Sequence, residues 1–333
     1  MESFALAHPS LALTKYWGKA EGGINLPATP SLAVTLRELY SISRCRLLPA
    51  GARDSVRLNG EPQGPDRFEP VFEELRRRSG YEGAFDLASG NNFPTAAGLA
   101  SSASGLAALV TACAGALKAH LSQEELSSLA RIGSGSAARS IYGGFTLLPA
   151  GAASARPVLS ETGWREFRII AVALHTGAKA ISSREAMRRS VDSSPYFSAW
   201  VADSQELTKA ALEAVEARDI RRLGEIARQS YTRMFATMFS ADPPIIYWRP
   251  ESVAMIHTLE ELRSRGVPVW ETMDAGPQVK VILLEEQVEE VLRELKAAFP
   301  EAGMTVCSPG PGAQLLRPQD LSDEERGLLG EGG

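Results

Sequence analysis

The chain has 333 residues, 44% of them hydrophobic and 23% charged, with a formal net charge of −5 at pH 7. That length exceeds one ordinary core and suits two lobes of roughly 150 residues each. An acidic balance without long single-sign runs excludes a nucleic-acid groove and a polybasic membrane patch. The scattered cysteines Cys45, Cys113 and Cys307 exclude a disulfide framework and a zinc cluster and fit the reducing cytoplasm. The first residues show no basic segment leading into an apolar core, so no export is expected.

In chain order, strand-like runs come first. Residues 32–40, 42–48 and 56–58, the last before an Asn59-Gly60 turn, predict an antiparallel sheet. Residues 68–78 carry apolar side chains at helical spacing and predict an amphipathic helix. No charge occurs from 91 to 117, but the first half is too rich in Asn, Pro, Thr, Gly and Ser to reach the roughly 18 apolar residues of a membrane span. Residues 99–121 predict a buried central helix instead. Ser122 and Glu125 form a capping-box signal opening a helix to about Arg131, and Gly143-Gly144 turns the chain into a strand.

Residues 151–165 are Ala/Gly/Pro-rich and read as a lobe boundary, dividing the chain into residues 1–165 and 166–333. Beyond it, strands are expected at 168–174, 279–284 and, last, 303–306. Helices are expected at 198–218, 220–239, 253–265 and 288–298, with Pro243-Pro244 ending the second. The tail after Pro318 is expected to fray. Helices mixed with short strands, without regular βαβ alternation, predict two α+β lobes with a cleft between them.

The most informative stretch is 91–105, NNFPTAAGLASSASG. Small residues before a long apolar helix leave backbone N–H groups free to meet an anion, and the helix dipole favours negative charge there. Gly98 and its flanking alanines let the main chain approach a polyphosphate, and Ser101 and Ser102 offer hydroxyl donors or a magnesium ligand. Close helix packing is the competing role. Neither the Walker pattern nor the dinucleotide G-x-G-x-x-G spacing is present.

Other clusters are individually modest. Lys15-Tyr16-Trp17-Gly18-Lys19 interleaves cations with aromatics and suits a phosphorylated substrate or an amphipathic edge. Arg139 follows the Ser-rich segment 133–138 and suits fork-like recognition of carboxylate or phosphate. Ser182-Ser183-Arg184 repeats that theme or simply starts a helix. Asp274 precedes a Gly-Pro turn, as an Asx-turn residue or as a general base at the cleft. His8, His120, His175 and His257 show no metal-ligand spacing, and no hydrolase elbow appears.

Together KYWGK at 15–19, segment 91–105, GSGSAARSIYGGF at 133–145 and DAGPQ at 274–278 closely resemble, in order and spacing, the mevalonate diphosphate decarboxylase family of the GHMP kinase superfamily. The resemblance implies a ribosomal-protein-S5-like N-terminal lobe, a ferredoxin-like C-terminal lobe, and ATP meeting mevalonate 5-diphosphate between them. Such enzymes phosphorylate the tertiary 3-hydroxyl, then lose phosphate and carbon dioxide to give isopentenyl diphosphate; many are homodimers.

By that resemblance Asp274 accepts the hydroxyl proton and stabilises positive character at C3, Lys15 keeps Asp274 ionised, and Arg139 holds the substrate C1 carboxylate. ATP is implied along Asn92, Pro94, Ala97, Gly98, Leu99, Ala100, Ser101 and Ser102, with Mg²⁺ near Ser101 or Ser102. Tyr16, Lys19, Ser134, Ser136, Ser183 and Arg184 match positions contacting the substrate's phosphate end and carboxylate. Ser10 stands where the family usually has Asn, and Gln278 likewise replaces an Asn. Such departures would suit a mevalonate 5-monophosphate decarboxylase; a mevalonate 3-kinase and a non-catalytic sensor on the same fold are the remaining alternatives.

Overall fold

A computed structural model describes residues 1–93, 101–174 and 181–330. The N-terminal part contains β1 (Glu2–Ala7), β2 (Ser10–Ala12), β3 (Ser31–Thr35), β4 (Ser41–Leu48), β5 (Ser55–Leu58), β6 (Glu61–Gln63), α1 (Glu69–Ser79), β7 (Ala84–Asn91), α2 (Ser101–Ala116), α3 (Gln123–Gly133), a 3-10 segment (Gly135–Ile141), β8 (Phe145–Leu148) and β9 (Arg156–Leu159). The remainder contains β10 (Phe167–Ala173), α4 (Ser183–Ser193), α5 (Phe197–Ala217), α6 (Ile220–Phe239), α7 (Pro250–Ser264), β11 (Trp270–Met273), β12 (Val279–Leu284), α8 (Val288–Ala298), β13 (Gly303–Cys307), β14 (Gln314–Leu316) and α9 (Asp323–Leu328).

The described residues form three sheets. The largest runs β14-β1-β4-β7-β5-β6, a second β2-β3-β8-β9, and a third β11-β12-β10-β13. Phe72, Phe85, Leu106 and Leu109 belong to the core joining α1 and α2 to the large sheet. The α2 helix is buried nearly all round because its sequence, SSASGLAALVTACAGA, offers almost no polar face.

Several expectations change. The run 32–40 yields only β3, which pairs with β2 and β8 rather than β4; β5 pairs parallel to β7, a strand hidden in the sequence by small residues. The Asn59-Gly60 turn does close a hairpin, with φ of 49° and 81°. The segment 151–165 is not all linker: it holds β9, and Trp164 stacks on Phe145 at 5.8 Å between ring centroids. Residues 303–307 are not the last strand, since β14 follows and returns to pair with β1. Nor does the tail fray as far as Gly330, the last described residue. Ser322 and Glu325 cap α9, and Leu321 and Leu329 bury against Phe4, Ile42 and Ala88.

The α6 helix presses on β11 closely: a Cβ on Gly224 would run into the Trp270 ring. Glu271 in β11 is fully buried and accepts from Arg228 Nε of α6 at 2.7 Å, Tyr231 Oη of α6 at 3.0 Å and Arg263 Nη1 of α7 at 2.7 Å. Three donors compensate the desolvated carboxylate and fix the strand that ends just before Asp274. No helix among the described residues is long and apolar enough to cross a membrane.

Candidate active site

The loop after β2 carries Lys15-Tyr16-Trp17 into the seam between the lobes. Trp17 is buried among Trp200, Tyr231 and Phe235 of the second half, and its carbonyl accepts from Trp200 Nε1 at 3.1 Å. Thr14 Oγ1 accepts from Thr208 of α5, and Ser230 Oγ of α6 accepts the Lys15 backbone N–H at 2.9 Å. The loop's apolar residue anchors it, and its neighbouring cation is thereby aimed at the cleft.

Lys15 Nζ donates to the Ala12 carbonyl at 2.6 Å and to Asp274 Oδ1 at 2.9 Å. The other carboxylate oxygen, Oδ2, lies 3.3 Å from Lys280 Nζ. Both lysines are almost fully buried, whereas the Asp274 side chain keeps 27% of its surface open to the cavity. Burial opposes ionisation of Asp274, but the charges and hydrogen bonds of Lys15 and Lys280 outweigh it and hold the carboxyl well below the usual carboxylate range. For Lys15 burial is the larger influence; with Lys280 and Arg139 nearby, and against the pull of Asp274, it lowers the ammonium to about 8.

Arg139 projects from the 3-10 segment and is buried, with Nη1 donating to Ser31 Oγ. Desolvation lowers it to about 10, so it stays cationic at neutral pH. Arg139 Nε and the Tyr16 hydroxyl are both buried without a hydrogen-bond partner among the described residues. Burial pushes the Tyr16 phenol up to about 12, which keeps it a neutral donor. Gly135 makes room for it, because a Cβ there would strike the Tyr16 ring. Unpaired buried donors are costly, so a ligand that accepts from them is favoured.

Three adjoining cavities share Ser102. The central one is lined by Lys15, Tyr16, Ser134, Ser136, Arg139, Ser183 and Asp274, together with Ser10. A second gathers Lys19, Arg67 and Arg184 with Asn25 and Ser182, and the third is formed by Arg67, Phe68, Asn91, Ser101 and Leu106. Asp274 is the only carboxylate among their described lining residues, against five cations, Lys15, Lys19, Arg67, Arg139 and Arg184, and the buried Lys280 adds a sixth just behind it. In a chain of net charge −5, that local excess is an anion site.

The motif residues therefore converge, with exceptions. Asn92 lines none of the three cavities; its amide accepts from Tyr40 N–H at 2.7 Å and donates to the Glu38 carbonyl at 3.0 Å, while its neighbour Asn91 lines the third. Pro94, Ala97, Gly98, Leu99 and Ala100 lie outside the described residues. Ser182 caps α4 through Glu185 N–H, so that segment is both a helix start and part of the cavity wall. Ser10 is buried, accepting from Ser140 Oγ at 3.1 Å and reaching the Ser136 carbonyl at 3.5 Å. Gln278 is also buried, its Oε1 accepting from Leu174 N–H at 2.6 Å.

Sequence reasoning missed Lys280, Arg67, Asn25 and Ser31. Lys280 had a signal: it is the lone charge in the otherwise apolar run Val279–Leu284. Arg67 had none, because it sits in a short surface turn before α1.

The chain matches two family models, the diphosphomevalonate decarboxylase-like N-terminal domain over residues 7–158 and the mevalonate 5-diphosphate decarboxylase C-terminal domain over 169–320. It is 35% identical to the diphosphomevalonate decarboxylase of Aspergillus fumigatus, covering 86% of this chain and 78% of that one. A solved structure described as MDDEF in complex with MVAPP, AMPPCP and magnesium matches with a TM-score of 0.89 and 35% identity over 95% of this chain and 99% of that one. A structure of the mevalonate diphosphate decarboxylase from Enterococcus faecalis matches with a TM-score of 0.87 and 34% identity over the same shares. The α+β class and GHMP-kinase fold expected from the sequence are borne out, and the chain belongs to the diphosphomevalonate decarboxylase family.

Proposed function

We infer that the protein converts mevalonate 5-diphosphate and ATP to isopentenyl diphosphate, ADP, phosphate and carbon dioxide. The observation that carries this reading is the Asp274 carboxylate set between two ammonium groups, the lone anion among the described residues of a cation-lined cleft. One solved relative holds MVAPP, AMPPCP and magnesium, and the site suits each of these. Lys19, Arg67 and Arg184 share one cavity without a carboxylate, which favours a diphosphate over a monophosphate. The monophosphate decarboxylase reading thus gains no support, and the intact Lys15–Asp274 pair speaks against a kinase that stops at phosphorylation and against an inert sensor.

ATP fits the side where Ser101 and Ser102 open α2 and Asn91, Phe68 and Leu106 form a partly apolar wall. Among the described residues no group of three or more His, Cys, Asp or Glu is placed to hold a metal. That suits Mg²⁺, which is commonly held through substrate phosphates with few protein ligands, here the hydroxyl of Ser101 or Ser102. Bound there, Mg²⁺ supplies neutralisation of phosphate charge during transfer.

Arg139 and Tyr16 hold the C1 carboxylate, meeting the donors left unpaired in the cavity. Lys19, Arg184, Ser134, Ser136 and Ser183 hold the diphosphate, with Arg67 at its junction with the nucleotide. Asp274 accepts a hydrogen bond from the 3-hydroxyl and so orients its oxygen toward the γ-phosphate. Because Lys15 and Lys280 hold it far below its ordinary range, it is a weak base at rest, and the proton moves late, as the oxygen acquires a phosphoryl group. The departing phosphate carries that proton away, the restored carboxylate stabilises the positive charge growing at C3, and the C1–C2 pair of electrons forms the new double bond as carbon dioxide leaves.

Residues 1–165 act in this reading as the nucleotide lobe and 166–333 as its partner; sheet membership supports the division except at β14, which returns to β1. The buried free cysteines suit a reducing cytoplasm, and homodimerisation follows from the family resemblance, with sedimentation velocity as its test. Activity is tested by supplying ATP, Mg²⁺ and each of mevalonate, its 5-phosphate and its 5-diphosphate, and following ADP and carbon dioxide. Turnover confined to the diphosphate is expected; turnover confined to the monophosphate would overturn the substrate assignment.

A further inference from the structure

Lys280 is a buried lysine in a strand whose neighbours Val279, Val281, Ile282 and Leu283 are buried and apolar. Withdrawing an ammonium from water costs several kcal/mol unless it is paired. Its charge partner is Asp274 Oδ2 at 3.3 Å, yet Asp274 already serves Lys15 through Oδ1 at 2.9 Å. A purely structural pair needs one cation per carboxylate. Here the second leaves the trio with a net charge of +1, and the buried Arg139 guanidinium adds to it. Such an arrangement destabilises the empty site and fits a role in the reaction.

We propose that Lys280 is a positioning residue for the Asp274–Lys15 couple: it anchors Oδ2, keeping Oδ1 toward Lys15 and the carboxylate edge toward the cavity. This rests on the decarboxylase reading above. The β11–β12 register supports it, since Lys280 pairs with Thr272, two residues before Asp274, and β11 is itself held by the buried Glu271 cluster. The carboxylate is therefore gripped by a side chain from a rigid neighbouring strand. Lys15 is faced by Asp274 from the turn after β11, Lys280 from β12 and Arg139 from the 3-10 segment. From the α6 helix, Ser230 accepts the Lys15 N–H and Met234 lines the cavity, and both are neutral. Of these charges, Lys280 and Arg139 lower Lys15 and Asp274 raises it.

The test uses Lys280→Met, Lys280→Gln and Lys280→Arg in the full-length enzyme. The pH profile of kcat/KM, kcat itself and the KM for ATP are measured, and Lys15 is titrated by NMR in lysine-labelled protein. Lys280→Met is expected to lower kcat at least tenfold with KM for ATP changed less than twofold, and to move the Lys15 midpoint and the alkaline limb upward from about 8. Lys280→Gln keeps a donor to Oδ2 without the charge, so it should move the midpoint equally while losing less kcat. Lys280→Arg should restore the wild-type midpoint. If Lys280→Met does not fold, the Gln and Arg variants carry the test. A folded Met or Gln variant with unmoved Lys15 midpoint and kcat within twofold of wild type overturns the proposal. The NMR midpoint needs no turnover, so a wild-type protein inert toward mevalonate 5-diphosphate would overturn the assigned reaction while the role of Lys280 is still decided.

Discussion

The hydroxyl of Ser230 accepts the backbone N–H of Lys15 at 2.9 Å, joining α6 to a loop 215 positions earlier in the chain. The same helix supplies Arg228 and Tyr231 to Glu271, just upstream of Asp274. One helix therefore braces both Lys15 and the strand that leads into Asp274. Ser230→Ala leaves that buried N–H unsatisfied, at a cost of about 1–3 kcal/mol. Chemical denaturation should read that loss, and kcat should fall while KM for ATP holds.

Asp274→Asn preserves shape and removes the charge that both halves of the proposed mechanism use. Its kcat is expected to drop by more than the roughly 10²–10⁴ usual for a general base alone, because charge stabilisation is lost as well. Nucleotide binding, followed by fluorescence of a labelled ATP analogue, should be retained. A tenfold effect would reduce Asp274 to a turn residue.

Lys15 makes activity and stability respond to alkali in opposite directions. As pH rises through about 8 the free enzyme loses the Lys15 proton, so kcat/KM should fall there. The kcat limb should lie higher, because the bound anions favour the ammonium. For folding, the group is depressed from 10.5 to about 8, so between these values the unfolded chain binds more protons than the folded one. Its contribution to stability is full above 10.5 and is lost as pH falls through 8. Urea melts across pH 7 to 10 should show this component missing in Lys15→Met.

Arg67 borders the cavities assigned to nucleotide and to diphosphate. Its guanidinium makes no ion pair among the described residues and lies over the Phe68 ring, 5.8 Å from its centroid. A charge-assisted hydrogen bond is worth about 1.5–3 kcal/mol, roughly a ten- to hundredfold effect. Steady-state kinetics of Arg67→Ala should therefore show KM raised for both substrates. A change in neither would remove Arg67 from the site.

Much of this site was legible because its chemistry sits in short runs. Lys15, Arg139 and Asp274 each stand in a phrase of fixed order, and the fold brings the phrases together. Lys280 and Arg67 escaped because their roles are set by tertiary neighbours. Lys280 means little until β11 and β12 are paired, and Arg67 lies in a surface turn like many other arginines. In the fold, long amphipathic helices such as α5 and α6 were evident from periodicity. The strands β1, β2 and β7 were not, since small residues such as those in AFDLASGN blur the alternation, and β14 joins its sheet from the far end of the chain.

The most direct test follows ADP and carbon dioxide together while the purified enzyme, ATP and Mg²⁺ act on mevalonate 5-diphosphate. Equal amounts of both products, abolished together by Asp274→Asn, are predicted. ADP without carbon dioxide, or neither product from a folded enzyme, would contradict the account.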